Sequence, residues 1–232
     1  MDTIVWPKKI QALSEEQLLI KKDFMKYWHE VLPKKYGLIE KFNHTYPVKH
    51  SESSGKVLEI GAGLGEHIKY ENLENLDYYA LEILPNMAGV IKNAFPMVKV
   101  TVGDCQEKID FPNNFFDRVN AIHVLEHLPD LPGALREINR VLRPNGDFCV
   151  VIPCEGGLAY SLARKISAER IFKKRYGLDY EFFIKTEHIN KPKEIMLELN
   201  NYFEIKHKSF FPLFVPVVSI NLVIGLILTP RG

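Results

Sequence analysis

The chain has 232 residues, of which 46% are hydrophobic and 25% are charged, and its formal net charge is +1. These values are typical of a soluble globular protein with one domain of ordinary size, and the near-zero charge argues against nucleic-acid binding. The three cysteines, Cys105, Cys149 and Cys154, have no C-x-x-C spacing. We therefore expect neither a disulfide framework nor a cysteine zinc site, and we expect a reducing, cytoplasmic location.

The N-terminal 50 residues favour helices. No apolar core of a signal peptide follows Met1. Ser14, followed by two acidic residues and Gln17, is typical of a capped helix start. Apolar and aromatic residues then recur at helical spacing until Pro33. The sequence therefore predicts a helical region over residues 1–50, ahead of a main domain at residues 51–232.

The main domain begins with an apolar run and a glycine loop. Val57 to Ile60 predicts a buried parallel strand, and Gly61, Gly63 and Gly65 follow it. Glycines permit unusual backbone angles and let a ligand approach the main chain. We expect a helix after the loop, whose N-terminal N–H groups would favour polar or anionic ligand groups. The G-x-G-x-G spacing differs from the G-x-G-x-x-G of dinucleotide-binding turns.

Strands and helices alternate over the next hundred residues. This alternation predicts an α/β fold with a doubly wound parallel sheet, covered by helices on both faces. Such sheets bind their ligands beyond the carboxyl ends of the strands, at the point where the strand order reverses. We predict strands at 56–60, 77–83, 98–102, 117–122 and 147–153, with helices at about 64–75, 85–95 and 131–142.

Polar residues stand at the predicted strand ends. Glu59 lies two residues before the first glycine, where its charge would repel a pyrophosphate and attract an ammonium group. Glu82 ends the second strand, about twenty residues past the first glycine, a range at which acidic residues accept hydrogen bonds from ribose hydroxyls. Asp104 follows the third strand and His123 the fourth. An ordinary turn aspartate is the alternative explanation for Asp104.

These motifs together resemble the class I S-adenosylmethionine-dependent methyltransferases. The loop Val57-Leu-Glu-Ile-Gly-Ala-Gly-Leu-Gly65 matches the first motif of that family over its full length. Leu125-Glu-His127 and Leu142-Arg-Pro-Asn-Gly146 are similar to the "LEH" and "LRPGG" segments of one subgroup. Asn145 replaces a glycine there, which is a mild departure because asparagine tolerates left-handed backbone angles.

The resemblance implies a Rossmann-like, mostly parallel sheet of seven strands, with the last strand antiparallel, and S-adenosylmethionine as cofactor. It implies that Asp104 contacts the adenine amino group and that residues 1–50 form a helical cap over the cofactor cleft. The implied cofactor-binding residues are Glu59, Gly61, Ala62, Gly63, Gly65, Glu82, Ile83, Asp104, Cys105 and His123.

An insertion at about residues 154–202 precedes the last two strands, and we expect it to lie on the substrate side. Its predicted helix over Leu158–Tyr176 is basic, which we interpret mainly as a solvated face rather than a membrane-binding one. Two apolar segments follow, Phe203–Phe210 and Val217–Leu228. Their β-branched residues, and the prolines between and beside them, favour a final hairpin over a membrane anchor.

Methyl transfer from a sulfonium requires that the acceptor is aligned with the methyl group and that water is excluded. Some acceptors also require a base. Histidine suits that proton transfer because it titrates near neutrality. We predict His188 as the base and His123 as a lining residue that takes part in catalysis, whereas His127 is expected to be structural. His123 and His127 have helical metal-pair spacing, but no third ligand is evident in the sequence, so no metal is predicted.

The sequence therefore predicts S-adenosylmethionine-dependent methyl transfer to a small-molecule, glycan or lipid-type acceptor, with oxygen favoured as the acceptor atom. No Asn-Pro-Pro-Tyr motif of DNA methyltransferases follows the fourth strand, so nucleic acid is not expected. Peripheral membrane contact is not expected either, and the oligomeric state is left open. The alternatives are a nicotinamide-dependent oxidoreductase on a Rossmann-like fold and a non-catalytic cofactor-binding protein.

Overall fold

The structure, a computed structural model, describes residues 4–51 and 55–231, with the side chains of residues 28–35 outside the description. Seven strands form one sheet in the order β3-β2-β1-β4-β5-β7-β6, in which β7 runs antiparallel to both of its neighbours. This confirms the predicted doubly wound sheet with an antiparallel last strand. The strands are β1 Gly55–Ile60, β2 Leu76–Glu82, β3 Lys99–Val102, β4 Phe116–Ile122, β5 Leu142–Pro153, β6 Phe203–Phe211 and β7 Val223–Pro230.

Helices cover both faces of this sheet and build the insertion. One continuous helical stretch runs from α5 through a π-helical turn, Lys165–Glu169, into α6 and ends at Gly177, whose φ is +68°. The α-helices are α1 Glu15–Lys35, α2 Gly37–His50, α3 Pro85–Ala94, α4 Leu131–Val141, α5 Leu158–Arg164, α6 Arg170–Tyr176, α7 Glu181–Glu187 and α8 Pro192–Tyr202. Among the described helices, none combines the length and apolarity needed to cross a bilayer.

Three predicted elements differ from the structure, and one of them is β5, which begins at Leu142 rather than at residue 147. In place of a helix over 64–75 there are turns and two short 3-10 helices, Ile68–Tyr70 and Leu73–Asn75. Gly65 has a positive φ, and too few residues remain before the turn-forming asparagines to nucleate an α-helix. The last strand begins at Val223 rather than Val217, because the Asn221 side chain hydrogen-bonds main-chain groups of the preceding loop.

The two faces of the sheet differ in polarity. One face carries only apolar side chains in its centre, including Leu58, Val119 and Val150, and packs against α4 and α8. The other face, under α2, carries apolar residues and also Glu59 and Arg118, both buried. The sheet therefore contains buried polar side chains on this face, and Glu59 lies directly before the glycine loop.

A smaller aromatic cluster lies away from the sheet. Phe24 of α1 packs edge-on against Phe172 of α6 and Phe183 of α7, with ring centroids 5.0 and 5.2 Å away. Edge-on aromatic packing adds stabilisation beyond the buried area. The N-terminal helix and the insertion are thus held together by their own hydrophobic contacts.

Candidate cofactor and acceptor site

The strand order reverses between β1 and β4, which opens the ligand crevice of doubly wound sheets at their carboxyl ends. The glycine loop lies there, with φ of +62° at Gly61, +58° at Gly63 and +83° at Gly65. A Cβ at Gly61 would lie 2.6 Å from a methyl carbon of Val124, and one at Gly65 would lie 2.7 Å from Phe95. Backbone angle and packing therefore both require glycine. The expected helix N-terminus behind the loop is absent, so the loop itself must supply the N–H groups.

Glu82 connects the end of β2 to the glycine loop. Its Oε2 accepts a hydrogen bond from the Gly63 N–H at 2.9 Å, and its Oε1 accepts one from the Leu84 N–H at 2.9 Å. Each carboxylate oxygen keeps a further lone pair for a ligand hydroxyl. Ile83, the next residue, is 55% exposed and offers an apolar surface at the same edge. This arrangement fits a ribose and a base, although the assigned roles stay predictions.

Asp104 and Cys105 follow β3 at the same edge. Asp104 is half-buried and accepts hydrogen bonds from the Gln106 main chain and side chain. Cys105 is buried, and this burial raises the pKa of its thiol to about 12. Asp104 therefore remains accessible to a ligand, whereas Cys105 is an unreactive packing residue beside it. Ala62 in the loop is likewise buried.

Glu59 does not match the charge argument made from the sequence. It is 3% exposed, and the Tyr78 hydroxyl donates a hydrogen bond to its Oε2 at 2.9 Å. Burial raises the pKa of Glu59 to about 8, against the opposing effect of the Tyr78 hydrogen bond. A carboxyl that is mostly neutral at pH 7 cannot offer an ammonium group a full negative charge. Contact between Glu59 and a cofactor stays a prediction.

Glu59 belongs to a set of buried polar residues beneath the loop, here called the inner cluster. The Arg118 guanidinium donates to Glu71 Oε1 at 2.6 Å, and His67 Nε2 lies 2.9 Å from the same oxygen. Although burial favours the neutral acid, these partners hold the pKa of Glu71 below its usual value. Sequence reasoning named Glu59 but missed the other members of this set, because they belong to no motif. The inner cluster consists of Glu59, His67, Glu71, Arg118 and Asn120.

A second polar set, here called the outer cluster, follows β4 and faces the insertion. His123 has a φ of +54°, rare for a non-glycine residue, and its Nδ1 lies 3.1 Å from Glu126 Oε1. Backbone angles of this kind concentrate at functional sites. Glu126 is buried, yet its histidine neighbours lower its pKa to about 2, so it is ionised. The outer cluster consists of His123, Glu126, His127, Glu155 and His188.

The insertion supplies the distant members of the outer cluster. His188 Nδ1 lies 3.0 Å from Glu155 Oε2, and Glu155 also pairs with Arg164. The Asn190 side chain donates to the carbonyls of Leu125 and Leu128 at 2.9 and 2.7 Å, which fixes the insertion against this turn. The structure therefore brings the two predicted catalytic residues, His123 and His188, into one cluster, and their roles stay predictions.

His127 makes a main-chain contact, as predicted, because its Nδ1 lies 2.7 Å from the Glu187 carbonyl. His123 and His127, whose spacing resembles a helical metal pair but for which no metal is predicted, do not point at each other, since His123 turns to Glu126. Instead, His127 lies beside His188, with ring centroids 5.2 Å apart. A histidine sixty residues further along the chain is a partner that spacing alone could not reveal.

Known proteins resemble this chain in sequence and in fold. A family profile described as "Methyltransferase domain" matches residues 58–150, the segment from the glycine loop to β5. Residues 58–150 are therefore similar to the domain of S-adenosylmethionine-dependent methyltransferases, as the sequence predicts. This similarity supports the predicted enzyme class and methyl donor, and it favours them over the oxidoreductase alternative.

The sequence relatives include the sterol 24-C-methyltransferase erg6 of Aspergillus fumigatus, 37% identical over 112 residues, which are 41% of this chain and 27% of that protein. The sterol 4-C-methyltransferase strm-1 of Caenorhabditis elegans is 34% identical over 40% of this chain and 29% of its own length. The chain thus matches less than a third of the length of these relatives.

The fold similarity extends further along the chain than the sequence similarity. The PH0226 protein of Pyrococcus horikoshii superposes with a TM-score of 0.65 over 89% of this chain and 99% of its own, at 16% identity. A possible histamine N-methyltransferase of Thermotoga maritima superposes with a TM-score of 0.65 over 92% and 98%, at 18% identity. At such low identity these neighbours show the fold alone.

Proposed function

We propose that this protein transfers a methyl group from S-adenosylmethionine to a small, amphiphilic, lipid-type acceptor. The observation that carries the lipid character is an exposed apolar surface beside the outer cluster. Leu158, Leu162 and Ile166 lie on one side of the α5 helix and its continuation, and each is 62–77% exposed. Apolar side chains exposed together in this way mark binding sites for apolar partners.

The loop between β6 and β7 extends this apolar surface. Leu213 and Phe214 are 53% and 67% exposed, and Val215, Val217 and Ile220 are also exposed. The helix start lies against this loop, since a Cβ at Gly157 would be 2.6 Å from the Val218 carbonyl oxygen. The start of α5 therefore adjoins the β6–β7 loop, and the exposed apolar residues of both are here called the apolar surface. It consists of Leu158, Leu162, Ile166, Leu213, Phe214, Val215, Val217 and Ile220.

The opposite side of α5 faces the outer cluster. Tyr160 packs towards the core with its ring 6.5 Å from that of His188, and Arg164 pairs with Glu155. An acceptor whose apolar part lies on the exposed side would place its polar end near these residues. The helical cap at 1–50 and the insertion at 154–202 are part of this proposal as the acceptor side, which their shared aromatic cluster supports.

The cofactor would be held at the strand edge by the glycine loop, Glu82, Ile83 and Asp104, and it supplies an already activated methyl group. The chain's own residues then orient the acceptor, exclude water and accept a proton. His188 is suited to the last task because its Nδ1–H can donate to Glu155, which leaves Nε2 as the acceptor nitrogen. His123 would line the same space from the β4 side.

We favour oxygen as the acceptor atom, because a histidine base acts directly on a hydroxyl group. Carbon is the second candidate, which the C-methyltransferase activities of the sterol relatives favour. A cytoplasmic location is also part of the proposal, and the three free, buried cysteines support it.

The cofactor site is tested first, by calorimetric titration with S-adenosylmethionine and S-adenosylhomocysteine. We expect binding by the wild type and loss of binding in Gly63→Arg and Glu82→Ala. Gly89→Arg is the matched control, since a Cβ at Gly89 meets no atom within 4 Å. A folded wild type that binds neither compound would overturn the proposal at its first step.

The acceptor is tested next, with ¹³C-methyl-labelled S-adenosylmethionine and separated lipid, glycan and protein extracts. Label in the lipid fraction is the expected result, and label only in protein would contradict the lipid assignment. The ¹³C chemical shift of the product then separates a methoxy group from a carbon-bound methyl group, and so decides between the two acceptor atoms.

A further inference from the structure

The outer cluster contains three side chains of a type that binds metal ions. Glu126, His127 and His188 each offer one ligand atom, and these atoms all lie within 4.8 Å of one another. Two imidazoles and one carboxylate form the protein ligand set of several catalytic zinc sites, in which one position stays open. We propose that these three residues bind a divalent transition-metal ion of the zinc type.

Both histidines are already oriented as metal ligands. The His127 Nδ1 is 2.7 Å from the Glu187 carbonyl oxygen, which only accepts hydrogen bonds, so this nitrogen carries the proton. The His188 Nδ1 is 3.0 Å from Glu155 Oε2, and the same reasoning applies. In each ring the lone pair is therefore on Nε2. Metal-binding histidines characteristically donate their other N–H to a carbonyl or carboxylate in this way.

Glu126 provides the negative charge and an unused lone pair. Its side chain is 1% exposed, and Oε2 has no hydrogen-bond partner among residues 4–51 and 55–231. Buried carboxylate oxygens without partners are rare in folded proteins, because the lost hydration is not replaced. A cation would satisfy this oxygen, while the His123 contact at Oε1 holds the carboxylate in place.

The separations are larger than in a loaded site. The three ligand atoms lie up to 4.8 Å apart, and Oε1, the other oxygen of the Glu126 carboxylate, is 4.0 Å from His127 Nε2, whereas bonds of about 2.0–2.1 Å put tetrahedral ligand atoms about 3.3 Å apart. Small side-chain rotations would close this difference. The His127 and His188 side chains, 34% and 17% exposed, have the freedom to make them, and their exposure leaves room for a fourth ligand.

The use of this cation in catalysis rests on the proposed function, whereas its binding does not. A positive charge beside the acceptor would lower the pKa of an acceptor hydroxyl. His188 would then act as a ligand, since a nitrogen bound to a metal cannot also accept a proton. The inference therefore replaces the histidine base with a cation that lowers the pKa of the acceptor hydroxyl, whose proton then leaves to solvent.

The test is calorimetric titration of the untagged, chelator-treated protein with ZnCl₂, without methyl donor or acceptor. We expect one bound equivalent, and affinity reduced at least about tenfold in Glu126→Gln and in His188→Asn. CoCl₂ should give visible absorption bands of a four-coordinate site that disappear in both variants. Circular dichroism of the metal-free variants establishes that they are folded.

His50→Asn is the matched control, because the His50 and His207 rings stack 4.2 Å apart and form an exposed histidine pair outside the outer cluster. Unchanged zinc binding in this variant is the expected result. Absence of zinc binding by the wild type, or equal binding by Glu126→Gln and His188→Asn, would overturn the inference. Because no methyl donor is present, either result is distinguishable from a failure of the proposed function.

Discussion

The inner and outer clusters contain the same kinds of side chain and differ in access. Both combine histidine with carboxylates beside the central strands. In the inner cluster the side chains of His67, Glu71 and Arg118 are 1–4% exposed and pair with one another. In the outer cluster the rings of His123 and His127 are 34% exposed and His188 is 17% exposed. Residue type therefore does not separate a structural group from a reactive one, whereas access does.

The inner cluster has a structural task that its position explains. Glu59 precedes the glycine loop, whereas His67 and Glu71 follow it, and Arg118 of β4 binds Glu71 from the sheet. The segment that was expected to be a helix is thus fixed by a buried ion pair. A buried pair of this kind specifies geometry more than it adds stability. The outer cluster has no such closed pairing, since Glu126 Oε2 is unpaired within the described chain.

The largest expected effect comes from breaking the inner cluster with Arg118→Met. This leaves the Glu71 charge buried without its guanidinium partner, which costs about 3–5 kcal/mol of folding free energy. Urea unfolding followed by circular dichroism measures this loss. Arg143→Met is the matched control, since Arg143 is 48% exposed beside Asp117, and an exposed pair contributes about 1 kcal/mol or less. Equal losses in both variants would refute the structural role.

A substitution in the outer cluster should lower the rate of methyl transfer strongly and the stability only slightly. In His188→Asn we expect methyl transfer to fall by about 10²–10⁴-fold, because either the proton acceptor or a metal ligand is lost. Stability should fall by only about 1 kcal/mol, the contribution of the single hydrogen bond to Glu155. Initial rates and urea unfolding measure the two quantities on one preparation. His50→Asn should leave the rate unchanged. If His188→Asn lost much stability and kept full activity, the outer cluster would have a structural role instead of a catalytic one.

The pH dependence of stability tests the inner cluster more finely. Because burial raises the pKa of Glu59 to about 8 from 4.5, the folded state holds a proton that the unfolded state releases. The contribution of Glu59 to the free energy of unfolding is therefore full below about pH 4.5 and decreases as the pH rises towards 8. The neighbouring hydroxyl and charges are those of Tyr78, Glu66, Glu71 and Arg118.

Glu59→Gln imitates the protonated acid and should remove this dependence. As the pH rises from 5 to 8, we expect the free energy of unfolding of the variant to increase relative to that of the wild type. Urea unfolding at intervals across this window measures the difference. Glu198→Gln on α8 serves as a control for the loss of a carboxylate that is not buried. Parallel pH profiles for wild type and Glu59→Gln would show that Glu59 is ionised in the folded protein.

Local patterns predicted the sheet and the loop, but not the clusters. Gly61 and Gly65 have positive φ angles in a turn after an apolar strand, and both features are local in sequence. Glu82 was found because its distance from the loop is fixed by one strand and one connection. In contrast, Arg118 of β4 meets Glu71 of the connection between β1 and β2, and His188 lies beside His127 where Asn190 attaches the insertion to the turn after β4. Contacts of this kind depend on tertiary packing.

The smallest expected effect concerns the apolar surface beside the outer cluster. Leu162 is 62% exposed, so Leu162→Glu should change stability by no more than about 0.5 kcal/mol. It should nevertheless weaken transfer to a lipid acceptor, because a charge is introduced where the apolar part of the acceptor binds. Leu197→Glu on α8, where Leu197 is 47% exposed, is the matched control.

The KM for a lipid acceptor should rise only in Leu162→Glu, with kcat nearly unchanged, because the substitution alters acceptor binding and leaves the outer cluster intact. An equal rise in both variants would mean that the apolar surface has no specific part in acceptor binding, and that access to the outer cluster is gained from another side.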